Sequence, residues 1–252
     1  MDFSFENIVL KGVFGILAEQ TGPLIFLGFL LSAIAGYLLG SINTALVVSK
    51  VFYGEDIRKS GSGNAGMTNM MRTYGTSAAV FTLVGDALKA IIAVIIGTVL
   101  GGREMGAYIA GLFCVVGHAL PLYFGFKGGK GIVVTAAMLL CLHPLCFLLL
   151  FILFVLIVLV TRYISLGSII CVLAFPVMLS RMSEPNIVST LCSIAIAGFV
   201  VWLHRGNIMR LYNKTESKFE FKKSKKKKDI QKESEAEAVA AAKTDNEETE
   251  DK

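Results

Sequence analysis

The first 213 residues are short of charge. Residues 214–252 hold 22 charged residues, 11 Lys and 11 Asp/Glu, which leaves 13 Lys/Arg and 8 Asp/Glu for everything before them. With 54% hydrophobic residues and a mean hydropathy of +0.67, such a body is too apolar for a water-soluble globule and implies an integral membrane protein. Cysteines are few and dispersed: Cys114, Cys141, Cys146, Cys171 and Cys192 all lie in apolar runs, with no CxxC and no histidine at ligand spacing. That excludes a disulfide framework and a cysteine metal site. No Walker A spacing, DxxD pair or GxSxG elbow occurs, which argues against P-loop, carboxylate-metal and serine-hydrolase chemistry. The start carries Asp2 and Glu6 where a signal peptide would be basic, so no cleavable leader is expected. Basic residues sit mostly at the ends of apolar segments, so the pI near 8.9 does not indicate a nucleic-acid-binding face.

Apolar stretches are present at about 23–48, 78–101, 106–124, 131–142, 144–161, 165–181 and 187–203. A bilayer core takes about 20 apolar residues of helix. The expectation is an all-α integral membrane bundle of seven transmembrane helices, behind a semi-polar segment 1–22 and ahead of a charged, disordered tail 214–252. Lys50, Arg58, Lys59, Arg72, Lys127, Lys130, Arg162 and Arg205 fall on one side if the N-terminus is out and the C-terminus in. The alternative is five helices, with 131–160 and 165–203 each continuous. Ser32, Gly36 and Gly40 form a small-residue stripe suited to close helix packing. Asp86 and Lys89, three apart within a span, are expected to pair or to face a cavity.

Three polar segments on the expected inner side exceed what a plain bundle needs. The first runs from Gly40-Ser41 through Asp56-Ile57-Arg58 to Gly61-Ser62-Gly63-Asn64-Ala65-Gly66-Met67-Thr68-Asn69 and Arg72. Its glycines can turn successive N–H groups to one point, a nest for an anion, with hydroxyl, amide and guanidinium donors around it. The second is Gly117-His118-x-x-Pro121 and Phe126-Lys127-Gly128-Gly129-Lys130-Gly131, a glycine-rich turn leading into a helix start, a second phosphate-type site. His118, alone on an apolar helix, reads as a hydrogen-bonded core residue. The third is His204-Arg205-Gly206-Asn207-Ile208-Met209-Arg210-Leu211 with Glu216 beyond, where His204 and Asn207 share a helix face. Two anion nests and a histidine on one face of a lipid-embedded bundle imply phosphate-bearing substrates, at least one of them a lipid.

These segments resemble the three motifs of the PlsY family, the bacterial membrane acyl-phosphate:glycerol-3-phosphate acyltransferases, over Tyr37 to Glu216; Thr161-Arg162-Tyr163-x-Ser165 matches a further family element. The family usually has proline at Asn43, alanine at Met67 and glycine at Lys214. The resemblance implies transfer of a fatty acyl group from acyl phosphate to the 1-hydroxyl of sn-glycerol 3-phosphate. The products would be 1-acyl-glycerol 3-phosphate (lysophosphatidic acid) and phosphate, in the first acylation step of phospholipid biosynthesis. It implies a multi-pass protein of the bacterial cell membrane with its site facing the cytoplasm, no cofactor or metal, and a functional link to the soluble enzyme that makes acyl phosphate. The catalytic candidates it assigns are Ser41, Arg58, Ser165, His204 and Asn207. Gly61, Ser62, Gly63, Asn64, Gly66, Thr68 and Asn69 would hold acyl phosphate; Lys127, Gly128, Gly129, Lys130 and Gly131 would hold glycerol 3-phosphate; Glu216 would be structural. The competing reading is an organic-phosphate transporter or exchanger using the same nests as a gate.

Overall fold

The computed structural model describes residues 3–21, 23–182 and 186–219. Among these every regular element is helical. Helix α1 (Phe5–Thr21) bends at Gly12, whose φ of 73° is open to glycine. It precedes α2 (Leu24–Ser41) and α3 (Thr44–Tyr53). Those two form one 30-residue apolar stretch interrupted at Ile42-Asn43, where the Asn43 side chain caps α3 by accepting from the Leu46 N–H at 3.1 Å. The short α4 (Met67–Tyr74) and the 26-residue α5 (Thr76–Gly101) follow. At 1.5 Å per residue α5 is about 39 Å long, more than a bilayer core of about 30 Å. Then come α6 (Ala107–Ala119), α7 (Ile132–Leu142), α8 (Pro144–Thr161), α9 (Ile164–Met182), α10 (Ile187–Leu203) and α11 (Arg205–Tyr212).

The small-residue stripe of α2 packs against α6. A methyl on Gly36 would collide with the Ala110 carbonyl, and one on Gly40 with that of Cys114. Backbone therefore meets backbone, as a small-xxx-small face allows. Most large apolar side chains of α8 point outward, as expected of a span with mean hydropathy 3.2.

All seven apolar segments are helical, and they differ in length. Among the described residues five helices are long and apolar enough to cross a membrane, and six if the α10–α11 pair, bent by 56°, is one span; α7 has only 11 residues. The two long helices of the five-helix alternative are not found. Helix α7 ends at Leu142 because Pro144 disfavours helix at His143 (φ −140°, ψ 75°) and itself opens α8. Helix α9 ends at Met182, and α10 starts afresh under an Asn186 cap, its side chain accepting from Val188 N–H at 2.8 Å. The expectation for the tail lies, from residue 220 on, outside the described residues.

Candidate active site

A cavity of about 900 Å3 runs between α4, α7, α8, α9 and α11. The starts of four helices line it: Gly66 to Thr68 at α4, Gly131 to Val133 at α7, Ile164 and Ser165 at α9, and His204 to Gly206 at α11. No side chain caps α4, α7 or α11. First-turn N–H groups have no intrahelical partner and carry partial positive charge, so this end of the cavity favours an anion. Arg72, Lys130, Arg205 and Arg210 line it too. The far wall is apolar, from Leu139, Leu140, Phe147, Leu150, Phe151 and Phe154. Leu140 and Phe151 are also 44% and 51% exposed, so this wall is continuous with the outer apolar surface.

The first loop is held by Asn69. Its carboxamide accepts from the Ser62 N–H at 2.8 Å and donates to the carbonyls of Ile57 (3.2 Å) and Ser60 (3.0 Å). Gly61 (φ 60°) and Gly63 (φ 72°) take left-handed conformations that the tight turn requires. Ser62, Gly63, Asn64, Gly66, Thr68 and Asn69 line the cavity, as does Met67; Gly61 does not. Arg58 does not line it either. Its guanidinium forms a two-point pair with Asp56 and donates to the carbonyls of Phe124 (2.7 Å) and Lys127 (2.9 Å). The hydrogen bond from Arg58 holds the Asp56 carboxyl below its ordinary range. Arg58 thus ties the first loop to the second. Ser41 is likewise turned away from the cavity: its hydroxyl donates to the Tyr37 carbonyl at 2.8 Å and accepts from the Leu122 N–H at 3.2 Å.

In the second loop the glycine N–H groups face inward. Gly128 N–H donates to Ala119 carbonyl (2.9 Å) and Gly129 N–H to His118 carbonyl (3.1 Å). Neither glycine lines the cavity, nor does Lys127. A methyl on Gly129 would collide with His118 Nε2 and stand 2.6 Å from the Ala65 carbonyl oxygen. These glycines let the two loops close on each other, and only Lys130 and Gly131 reach the cavity. Gly131 has φ 77° at the start of α7, a conformation that favours glycine.

The third segment meets the second. Lys130 Nζ donates to the Asn207 carbonyl oxygen. The Asn207 amide donates to Glu216 at 2.7 Å, and Arg210 Nε donates to the other carboxylate oxygen at 2.7 Å. Burial raises the Glu216 pKa, but this is outweighed by Ser165, Asn207 and Arg210, and the net position is below its ordinary value. Ser165 Oγ is buried without a bond of regular geometry, although it lies close enough to Glu216 to help keep it charged. Burial pushes Lys130 down to about 8, with Glu216 opposing. His204 Nδ1 lies 2.8 Å from the Val200 carbonyl oxygen. A carbonyl only accepts, so Nδ1 carries the proton and Nε2 is a free acceptor.

The cavity therefore collects Ser62, Gly63, Asn64, Gly66, Thr68, Asn69, Lys130, Gly131, Ser165, His204, Asn207 and Glu216. Ser41, Arg58, Gly61, Lys127, Gly128 and Gly129 stand behind it. Sequence reasoning gave no role to Arg210, although it stood in the third motif; His118 is buried and hydrogen-bonded as expected, and with Asp86 it also lines the cavity. The i,i+3 spacing of Asp86 and Lys89 was the available signal. Among the described residues no three of His, Cys, Asp and Glu come together as a metal site would require.

Residues 30–214 match the family described as glycerol-3-phosphate acyltransferase. A glycerol-3-phosphate acyltransferase of Bacillus cytotoxicus is 38% identical over 196 residues, covering 78% of this chain and 97% of its own length. Glycerol-3-phosphate acyltransferase 2 of Moorella thermoacetica is 40% identical over 190 residues, covering 75% and 97%. The crystal structure of PlsY, an integral membrane glycerol 3-phosphate acyltransferase, in its glycerol 3-phosphate form superposes with a TM-score of 0.72 at 34% identity, covering 76% of this chain and 96% of that one. Its lysophosphatidic acid form gives 0.70 at 33% identity, with 76% and 95% covered. With a shared fold, a match across most of the chain and a cavity built from all three motifs, this chain belongs to the PlsY-type glycerol-3-phosphate acyltransferase family of membrane acyltransferases.

Proposed function

We propose that this protein transfers a fatty acyl group from acyl phosphate to the 1-hydroxyl of sn-glycerol 3-phosphate, yielding lysophosphatidic acid and inorganic phosphate. The observation that carries this reading is the convergence of four helix starts and the Arg72, Lys130 and Arg210 side chains on a cavity whose far wall is apolar and reaches the outer surface, the Arg205 guanidinium being turned onto the Trp202 ring. An acyl phosphate has that same division. Its chain lies along α7, α8 and α9, and its phosphate is held by Ser62, Gly63 and Asn64. Lys130 and the start of α7 hold the phosphate of glycerol 3-phosphate, and Asn207 keeps the Lys130 ammonium aimed.

The hydroxyl oxygen attacks the acyl carbonyl carbon, and the bond from that carbon to the phosphate oxygen breaks. Phosphate leaves with the electron pair. His204 Nε2 accepts the hydrogen bond of the attacking hydroxyl and orients it; the proton passes to an oxygen of the departing phosphate, directly or through His204. Because acyl phosphate is already an activated mixed anhydride, the protein's task is to hold two anions together against their repulsion, which cations and helix starts do. Ser41 and Arg58 act by fixing the loops that carry the contacting groups.

The protein crosses the membrane seven times, with α7 as a short span, its N-terminus out, its C-terminus in and the cavity's polar end facing the cytoplasm of a bacterial cell. A soluble enzyme supplies the donor. The test uses sealed proteoliposomes with labelled glycerol 3-phosphate outside, with and without acyl phosphate. The label is expected to appear as lysophosphatidic acid, and only with the donor. Accumulation of unchanged glycerol 3-phosphate inside, independent of donor, would replace this reading with that of a transporter.

A further inference from the structure

Three ionisable groups that the mechanism above leaves unused lie together beside the cavity. Asp86 and Lys89 are on α5, His118 is near the end of α6, and all are buried. Lys89 Nζ lies 2.9 Å from Asp86 Oδ1, 3.1 Å from the Gly40 carbonyl oxygen, 2.7 Å from that of Ile42 and 2.9 Å from His118 Nδ1. The two carbonyls belong to the break between α2 and α3, so the ammonium satisfies backbone groups that the broken helix leaves unpaired.

The contact with His118 fixes where the imidazole proton sits. An ammonium has donors and no acceptor, so at 2.9 Å His118 Nδ1 must offer its lone pair, and the ring proton is on Nε2. Asp86 Oδ1 is 3.6 Å from Nδ1, too far to hold a proton there by hydrogen bonding. The Nε2 side of the ring lies against Gly129, and the Ala65 carbonyl stands on the same face of that glycine; a methyl at Gly129 would collide with Nε2 and stand 2.6 Å from that oxygen. Nε2 therefore stands beside the first and second loops, in a side chain that lines the cavity and is only 4% exposed.

Building on the proposed acyl transfer, we infer that His118 is a further substrate-contacting residue, whose Nε2–H, locked in that tautomer by Lys89, donates a hydrogen bond to a phosphate oxygen bound in the cavity that His118 lines. Lys89 and Asp86 are positioning residues for it. A neutral donor suits this place: it adds a directed bond to the anion while the adjoining ammonium is already spent on carbonyls, Asp86 and the ring. The same bond strengthens as negative charge collects on the departing phosphate, so its loss lowers kcat.

The test has a spectroscopic and a kinetic arm. The chain has three histidines, so ring-15N-labelled protein in detergent gives few signals, and His118→Gln identifies those of His118. The expected spectrum shows His118 protonated at Nε2 and bare at Nδ1, with Nε2 shifting on addition of inorganic phosphate. An Nδ1–H tautomer, or no response to saturating phosphate, overturns the inference. In the kinetic arm His118→Leu lowers kcat by about 10- to 150-fold, the range for a hydrogen bond to a charged group. His118→Gln, whose amide nitrogen replaces Nε2 as donor, recovers most of it. Equal loss in both folded variants overturns the inference; where the leucine variant does not fold, the wild-type spectrum decides. Wild-type protein forming no lysophosphatidic acid would refute the acyl-transfer reading, while the phosphate response of His118 would be judged separately.

Discussion

Gly129→Ala separates two ideas about the second loop. As a phosphate nest, this loop would lose only affinity for glycerol 3-phosphate. The geometry gives another outcome, because the Gly129 N–H is bonded to the His118 carbonyl. The added methyl collides with His118 Nε2 and stands 2.6 Å from the Ala65 carbonyl oxygen, where ordinary contact begins at 3.4 Å. The two loops must part by about 0.8 Å, and overpacking of this kind destabilises by about 1–3 kcal/mol. For a chain of this length that corresponds to roughly 2–4 °C of melting midpoint per kcal/mol. Since both loops bear substrate contacts, kcat and the KM of both substrates are expected to worsen together. Gly198→Ala is the control, since a methyl there meets nothing within 4 Å. It should keep full activity and gain up to about 1 kcal/mol in helix propensity. The assays are thermal unfolding in detergent and a two-substrate kinetic matrix. A Gly129→Ala enzyme with unchanged melting, unchanged kcat and a raised KM for glycerol 3-phosphate alone would refute the packing argument and restore the nest.

Further outcomes follow from the charged groups. Glu216 is held below its ordinary pKa of 4.5, so it adds stability above that pH, and the contribution is lost as pH falls through the lower folded value; Glu216→Gln should flatten the acid side of a melting-versus-pH curve, and an unchanged curve would contradict its pairing role. Lys130, pushed down to about 8, is charged below that pH and neutral above it. KM for glycerol 3-phosphate is therefore expected to climb above pH 8 in the wild type and not in Lys130→Arg, and identical profiles would remove Lys130 from the phosphate site. Lys127, exposed on the turn before α7, replaced by cysteine in a background without the five native ones, should react with an impermeant thiol reagent only from the cytoplasmic side. Labelling from outside would invert the proposed orientation.

Element positions were largely legible in the sequence because they depend on local composition. The seven apolar runs all became helical, the first of them as α2 and α3. Whether a run crosses the membrane was less legible: α7 is short, and its burial depends on α5 and α8 beside it. The candidate site was legible as three motifs, but not in how its labour is divided. Arg58 looked like a substrate ligand because an arginine beside a glycine loop usually faces an anion. Its partners are carbonyls 66 and 69 positions away, and carbonyls leave no mark in a sequence. Gly128 and Gly129 carried the same ambiguity, since a glycine that admits a ligand and one that admits another backbone look alike. Asp86, Lys89 and His118 needed α2, α5 and α6 brought together before their relation was visible. Asn43, which the family pattern would make proline, caps α3 and donates to the Ala65 carbonyl at 3.3 Å, a substitution whose value also depends on the folded loop.

The central claim is that one cavity joins an acyl phosphate to glycerol 3-phosphate, and phosphorus-31 NMR of the purified protein tests it most directly. With both substrates present and divalent metals chelated, the acyl phosphate signal should be replaced by lysophosphatidic acid and inorganic phosphate in equal amounts, with little phosphate released when glycerol 3-phosphate is omitted. Phosphate release that does not depend on glycerol 3-phosphate, or unchanged substrates beside a folded protein, would contradict the account.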